Sequence, residues 1–305
     1  MAQVMAERGS SFYCVFSRTY EKARAFADKY GIEKVYKNAD ELFEDDRIDV
    51  VYIATPHNCH IEYILKAAKS KKHVLCEKAI TLSSDELDEA IKTCNESGVI
   101  LAEAQTIYHM PVYKEAMKFV ENGTLGRLKL IEVNFGTKKE YDVTNRFFSP
   151  DLAGGAMLDI GVYALSFVRY FLSENAECIK SAVTLAPTGV DEQAVMLLSN
   201  SKGEMASVNL SFTAKLPRTA VASFENGYIL FDNFNRSTSA QIVFTGNAEP
   251  IALTSDSSVS PLLYEIEDME NAVLGIENNM LLEFTADVMD IMTKARKEWG
   301  VKLYG

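Results

Sequence analysis

Asp159 and Tyr163 stand four residues apart in the segment AGGAMLDIGVYAL (153–165), a spacing that places both on one face of a helix. Gly154 and Gly155, just ahead of them, let a ligand approach the backbone closely at the helix start. Such a pair suits proton transfer at a secondary alcohol or ketone, the partner step of hydride transfer at carbon. A cation is at hand: Glu77-Lys78 closes the run KHVLCEK (72–78), and an ammonium beside Tyr163 would favour its phenolate. Lys78, Asp159 and Tyr163 are therefore the expected catalytic residues, with Asp159 orienting the substrate or Lys78.

The elements that must carry these residues change texture near residue 125. Before it, short apolar strands alternate with helices: strand 11–17, helix 20–30, strand 49–54, helix 60–70, strand 73–76, helix 84–97 with Ser83 or Ser84 as N-cap, and strand 99–103. Continuous apolar strands between helices mean a parallel sheet covered on both faces, a Rossmann-type pattern. After it come a strand at 128–136, a helix at 154–171, and strands at 179–185, 193–198, 204–212, 219–224, 228–231 and 241–244. Glu225-Asn226-Gly227 is a hairpin signal. The tail 264–299 is helical, divided at Gly275. The expected fold class is α/β. A Rossmann-type dinucleotide-binding domain (1–125) precedes an α+β domain (126–305) with an open, mostly antiparallel sheet for substrate binding and oligomerisation.

Forty-three acidic against 31 basic side chains give a net charge of −12, which repels a phosphate backbone and excludes general nucleic-acid binding. Apolar stretches such as 50–55 and 241–245 are too short to cross a bilayer, and residues 1–10 carry no secretory pattern, so no membrane partner is expected. Five cysteines without a C-x-x-C pair point to reduced thiols in the cytoplasm. Four histidines without H-E-x-x-H predict no metal site.

A dinucleotide-binding domain normally opens with a strand, then G-x-G-x-x-G, then a helix whose amides hold the pyrophosphate. No such triplet exists among the 16 glycines. Residues 1–7 read instead as the end of a helix capped by Gly9. The expectation is an N-terminally truncated Rossmann sheet, without its first strand and glycine loop. That predicts a gap between strands 11–17 and 49–54, a direct pairing of the two, or low solubility. Cofactor binding should be weak, since each charge-assisted hydrogen bond lost is worth about 1.5–3 kcal/mol. At the end of strand 11–17, Ser17 and Arg18, with Lys22 one turn on, suit the 2′-phosphate of NADP; an acidic residue there would select NAD, which is the alternative.

Five segments in register resemble the Gfo/Idh/MocA oxidoreductases: SRTYEKARAFADKYG (17–31), DVVYIATPHNCH (49–60), KHVLCEK (72–78), EAQTIYHMP (103–111) and AGGAMLDIGVYAL (153–165). A tyrosine at 163, where many relatives carry histidine, is similar to the glucose–fructose oxidoreductase and dimeric dihydrodiol dehydrogenase-like branch. The resemblance implies that Thr55, Pro56, Asn58 and His60 line the cofactor, together with Glu77, Lys78 and Glu103. It implies that Lys78 sits between nicotinamide and a sugar, polyol or diol substrate, and that Tyr108 and His109 join Tyr163 in the substrate pocket. The family's Glu-Lys-Pro has Ala79 in third place here, so a trans peptide is expected after Lys78. Relatives pair through the C-terminal sheet, which predicts a homodimer. The alternative is a non-catalytic sensor or assembly subunit, or a form with impaired cofactor binding.

Overall fold

The computed structural model describes residues 1–302. Helix α1 (Ala2–Glu7) is followed by a left-handed Gly9, and β1 (Cys14–Phe16), α2 (Tyr20–Tyr30), β2 (Lys34–Tyr36) and α3 (Ala39–Phe43) come next. Strands β1 and β2 pair in parallel. A second parallel sheet, in the order β3-β4-β5, contains β3 (Val50–Ile53), β4 (His73–Glu77) and β5 (Leu101–Ala104), linked by α4 (His60–Lys69) and α5 (Ser84–Ser97). Helix α5 starts as its sequence predicts: Ser83 Oγ accepts from Glu86 N at 3.3 Å, and the Glu86 carboxylate accepts from Leu82 N at 2.8 Å.

Of the alternatives predicted for the first strand and β3, the structure shows the gap and not the direct pairing. The two belong to separate sheets, and at this seam the Phe12 ring stacks on Tyr52 at 6.1 Å. Among the described residues no strand lies between them.

Helix α6 (Pro111–Glu121), unannounced in the sequence reading, leads to β6 (Leu128–Gly136) and α7 (Val162–Phe171). Strands β7 (Glu177–Leu185), β8 (Asp191–Ser199), β9 (Met205–Ser211), β10 (Thr219–Phe224), β11 (Gly227–Asp232), β12 (Ser239–Phe244) and β13 (Ile251–Thr254) follow, then helices α8 (Pro261–Val273) and α9 (Leu282–Glu298). They build an eight-stranded sheet in the order β13-β12-β11-β10-β6-β9-β8-β7. The β6–β9 pair is parallel and the other neighbours are antiparallel. The predicted hairpin turns through Glu225-Asn226, with Gly227 paired to Phe224, and no larger residue fits at 227, where a Cβ would lie 2.2 Å from the Val243 carbonyl oxygen.

The inner face of this sheet buries α7, with Tyr113 stacked on Phe231 at 4.4 Å and Phe167 edge-on to both. The stretch Pro150–Phe171 is, unlike the shorter runs, long and apolar enough to cross a bilayer, but 83% of its apolar window is buried inside the protein. It is also not the single helix expected over 154–171. A 3-10 turn (Pro150–Leu152) and a π-helical turn (Met157–Gly161) precede α7. The cause is Asp191, a buried carboxylate on β8 that accepts from Met157 N at 2.6 Å. Gly155, at φ 125°, lets the chain lie where a Cβ would be 2.3 Å from Asp191 Oδ1.

Helix α9 crosses between the parts. Thr285 donates to Glu103 at 3.1 Å, Thr293 Oγ1 accepts from Ser84 N at 2.9 Å, and Arg296 donates to the Leu82 carbonyl at 2.8 Å. On the other side Asp287 meets Arg169 at 2.6 Å, and Trp299, just past the helix, donates to Ser181 at 2.8 Å.

Candidate active site

Strand β4 is buried, and its carboxyl end delivers Lys78 into a loop whose backbone is held at almost every residue. His57 Nε2 lies 3.0 Å from the Lys78 carbonyl oxygen, the His60 ring lies between the carbonyls of Ala79 (3.0 Å) and Thr55 (2.8 Å), and Glu103 accepts from Ile80 N at 3.0 Å. Burial first, then the neighbouring His60 and Lys78, push His57 down to about 4, so at neutral pH it is an uncharged donor. The Lys78–Ala79 peptide is cis, which corrects the trans expectation. Proline is one route to that geometry; here the His57 and His60 rings fix the carbonyls on both sides of the bond.

The Lys78 ammonium donates to the Asp159 carbonyl oxygen at 2.6 Å and to its carboxylate at 3.2 Å, and lies 4.7 Å from the centre of the Tyr163 ring. Arg146 reaches the same carboxylate at 3.2 Å. The ion pair is largely withdrawn from water, with side-chain exposures of 12% for Lys78 and 13% for Asp159. Burial lowers the Lys78 pKa below its usual range despite the pull of Asp159. Burial alone would raise Asp159, but Lys78 and Arg146 outweigh it and hold the carboxylate ionised.

Tyr163 departs from expectation. Burial raises its pKa, and the Lys78 ammonium sits over the ring rather than at the hydroxyl. The phenol is thus the neutral partner and the lysine the more easily deprotonated one.

The remaining candidates divide into two groups. Ser17 ends β1, with its Oγ accepting weakly from Thr19 N at 3.4 Å, and Arg18 and Lys22 are exposed beside it. Thr55, exposed Pro56 and Asn58 follow β3, and Asn58 donates across the cleft to the Asp151 carbonyl at 3.2 Å. Glu77 accepts from the Tyr52 hydroxyl. His60, Glu103, Tyr108 and His109, expected to line cofactor or substrate, are each at most 1% exposed. His60 and Glu103 brace the Lys78 loop from behind. Tyr108 stacks on Tyr170 at 6.2 Å, and His109 pairs with Asp268 at 2.7 Å. A strand end shows which edge a side chain occupies but not whether it points into the cleft. His57 lies in the 49–60 motif without having been assigned a role, and Arg146 carries no local signal in the sequence.

Thr55 Oγ1 is buried without a partner at the end of β3, near the Lys78 loop that its own carbonyl helps to hold. An unfilled polar group there fits the nicotinamide end of a dinucleotide. Among the described residues there is no glycine-rich loop between β1 and β3 to cradle the pyrophosphate.

Residues 1–105 match the family described as "Oxidoreductase family, NAD-binding Rossmann fold", and residues 113–230 match the "GFO/IDH/MocA C-terminal domain". The chain belongs to the Gfo/Idh/MocA oxidoreductase family. It is 31% identical over 299 residues to trans-1,2-dihydrobenzene-1,2-diol dehydrogenase of Xenopus laevis, covering 94% of this chain and 89% of that one. It is 28% identical, with the same coverage, to scyllo-inositol 2-dehydrogenase (NADP(+)) IolU of Bacillus subtilis. The crystal structure of aldose-aldose oxidoreductase from Caulobacter crescentus has the same fold, with a TM-score of 0.85 at 20% identity over 97% of this chain and 93% of that chain.

Proposed function

We propose that this protein uses NADP to oxidise or reduce a hydroxyl-bearing carbon of a small diol, polyol or sugar. The observation that carries the reading is the Lys78 ammonium, held by Asp159 and seated 4.7 Å over the Tyr163 ring. The nicotinamide, when bound, accepts or returns the hydride. Lys78, with its lowered pKa, takes the hydroxyl proton; Asp159 fixes the lysine, and Tyr163 donates a hydrogen bond as a neutral phenol. Thr55, Pro56, Asn58 and Glu77 hold the nicotinamide end; Ser17, Arg18 and Lys22 hold the ribose phosphate. On this reading residues 1–125 serve the cofactor and 126–305 the substrate, in the cytoplasm. The diol and inositol dehydrogenase relatives support the substrate class.

Fluorescence titration with NADPH and NADH tests the cofactor assignment. NADPH is expected to bind about tenfold more tightly, and Arg18→Ala to remove that margin. Equal affinity for the two cofactors overturns it. No binding of either cofactor, with no turnover of diols or sugars, would favour a non-catalytic family member, a reading supported by the separation of β1 from β3.

The outer face of the eight-stranded sheet is proposed as a homodimer interface. Leu130, Val195, Leu197, Met205 and Tyr228 are 36–50% exposed on it. Leu130 pairs with Met205 across β6–β9, and Tyr228 lies two strands from Leu130, with Ser223 between them. An apolar patch of this extent calls for a cover, and a self-complementary face gives a closed pair. Sedimentation should give twice the chain mass, and Leu197→Lys should shift it to the monomer; a monomeric parent protein refutes the interface.

A further inference from the structure

The chain is strongly acidic, yet cations with no carboxylate partner collect around the Lys78–Tyr163 cleft. Arg236 closes a 3-10 turn (Phe234–Arg236) that packs against α7; its side chain is exposed, with no hydrogen bond or ion pair among the described residues. Its charge acts on both the Tyr163 phenol and the buried Glu265. Arg218 donates to the Thr137 hydroxyl at 3.3 Å and lies 5.3 Å from the Phe135 ring, itself 6.2 Å from the Tyr163 ring. Lys139 has no ion pair among the described residues and sits 3.9 Å over the Phe147 ring, while Arg146 lies 4.6 Å from the same ring as it reaches for Asp159. Lys139 and Phe147 line a groove of about 560 Å³ with Tyr141 and Asn145.

The neighbouring carboxylates leave this charge uncancelled. Asp159 pairs with Lys78 and Arg146 and also feels the charge of Lys139, Glu77 takes the Tyr52 hydroxyl, and Asp142 on the groove accepts from the Thr144 amide and hydroxyl. Glu265 is fully buried against Thr106 and stays protonated at neutral pH. Glu140, also on the groove, is the one acid there without a partner that the structure shows. Three cations, Lys139, Arg218 and Arg236, thus stand against one unpartnered acid. All three lie beyond β6, whereas Ser17 and Arg18, assigned to the cofactor's phosphate, end β1.

We propose that the substrate is an anion: a polyol or sugar derivative bearing a carboxylate or phosphate, its charged end bound among Arg218, Arg236 and Lys139 and its reacting hydroxyl at Lys78. This rests on the oxidoreductase reading. The anionic group is unchanged by the reaction and fixes which hydroxyl reaches Lys78. Arg218, beside the Phe135 ring, suits this task, because a planar fork held there offers two parallel donors to an oxyanion.

The test is calorimetric titration of the 305-residue chain with D-glucuronate, D-glucose 6-phosphate and D-glucose, with and without NADP⁺, alongside turnover of all three. At about 50 mM salt one of the anions should bind more than about tenfold more tightly than glucose, and about 500 mM salt should erase most of that margin. Which anion gains distinguishes carboxylate from phosphate. The double variant Arg218→Gln/Arg236→Gln should cut the preference by a further tenfold or more. Glucose binding as well as both anions, or the double variant keeping the preference, overturns the proposal. Salt-sensitive anion binding with no turnover of any compound sinks the oxidoreductase reading and leaves the anion site standing. Turnover of glucose without anion preference does the reverse.

Discussion

Lys78→Met is expected to lower kcat/KM by about 10²–10⁴-fold, the usual contribution of a positioned acid/base, with little change in melting temperature. Methionine keeps the stem that fills the space over the Tyr163 ring, and Arg146 remains to pair with Asp159, so the loss falls on chemistry rather than on folding. Because burial lowers the lysine's pKa while raising that of Tyr163, the rising limb of the pH–rate profile for alcohol oxidation belongs to Lys78. That limb should disappear in Lys78→Met and persist in Tyr163→Phe, which loses one hydrogen bond and roughly tenfold in rate. Steady-state kinetics across pH decide it. A Lys78→Met enzyme with near-normal activity, or a limb that vanishes with the phenol instead, refutes the assignment.

The second large effect concerns stability and Glu265. Burial pushes this carboxyl up to about 8 and that of Glu103 up to about 7, both from an ordinary value of 4.5. The folded protein therefore keeps protons that the unfolded chain has released between pH 4.5 and those values. Stability is complete below the unfolded value and is lost as pH rises, by about 1.4 kcal/mol per unit for each group. Above pH 7 the remaining slope is mainly that of Glu265. Glu265→Gln, which keeps the shape and an acceptor for Thr106, should flatten the dependence between pH 7 and 8 and unfold later than the parent at pH 8. Urea midpoints at several pH values test this; parallel curves for the two proteins contradict it.

Much of the architecture was legible because it rests on local chemistry. Ser83 or Ser84 announces the start of α5, the apolar run of β4 announces a buried strand, and Glu225-Asn226-Gly227 announces a hairpin. The short strand β2 and helix α3 pass unannounced, since three to five residues carry too little periodicity. The π-turn at Met157–Gly161 was invisible for another reason: it depends on Asp191, more than 30 residues away, taking the Met157 amide. In the site, Lys78, Asp159 and Tyr163 were found because a motif and a spacing mark them. Arg146 was not, because nothing local separates an arginine facing a cleft from one facing solvent. Glu103 and His60 stand at strand and loop ends, where either direction was open, and tertiary packing turned both inward.

Helix α9 gives the molecule an order of completion. Lys78, Glu103 and Asp159 are all translated more than 100 residues before the helix whose Thr285, Thr293 and Arg296 grip the Lys78 loop and its brace. While the nascent chain still ends short of α9, both lobes have their strands but the groove between them lacks its back support. Until residues 282–299 have been made, the Lys78 loop and Glu103 lack all three of these hydrogen bonds.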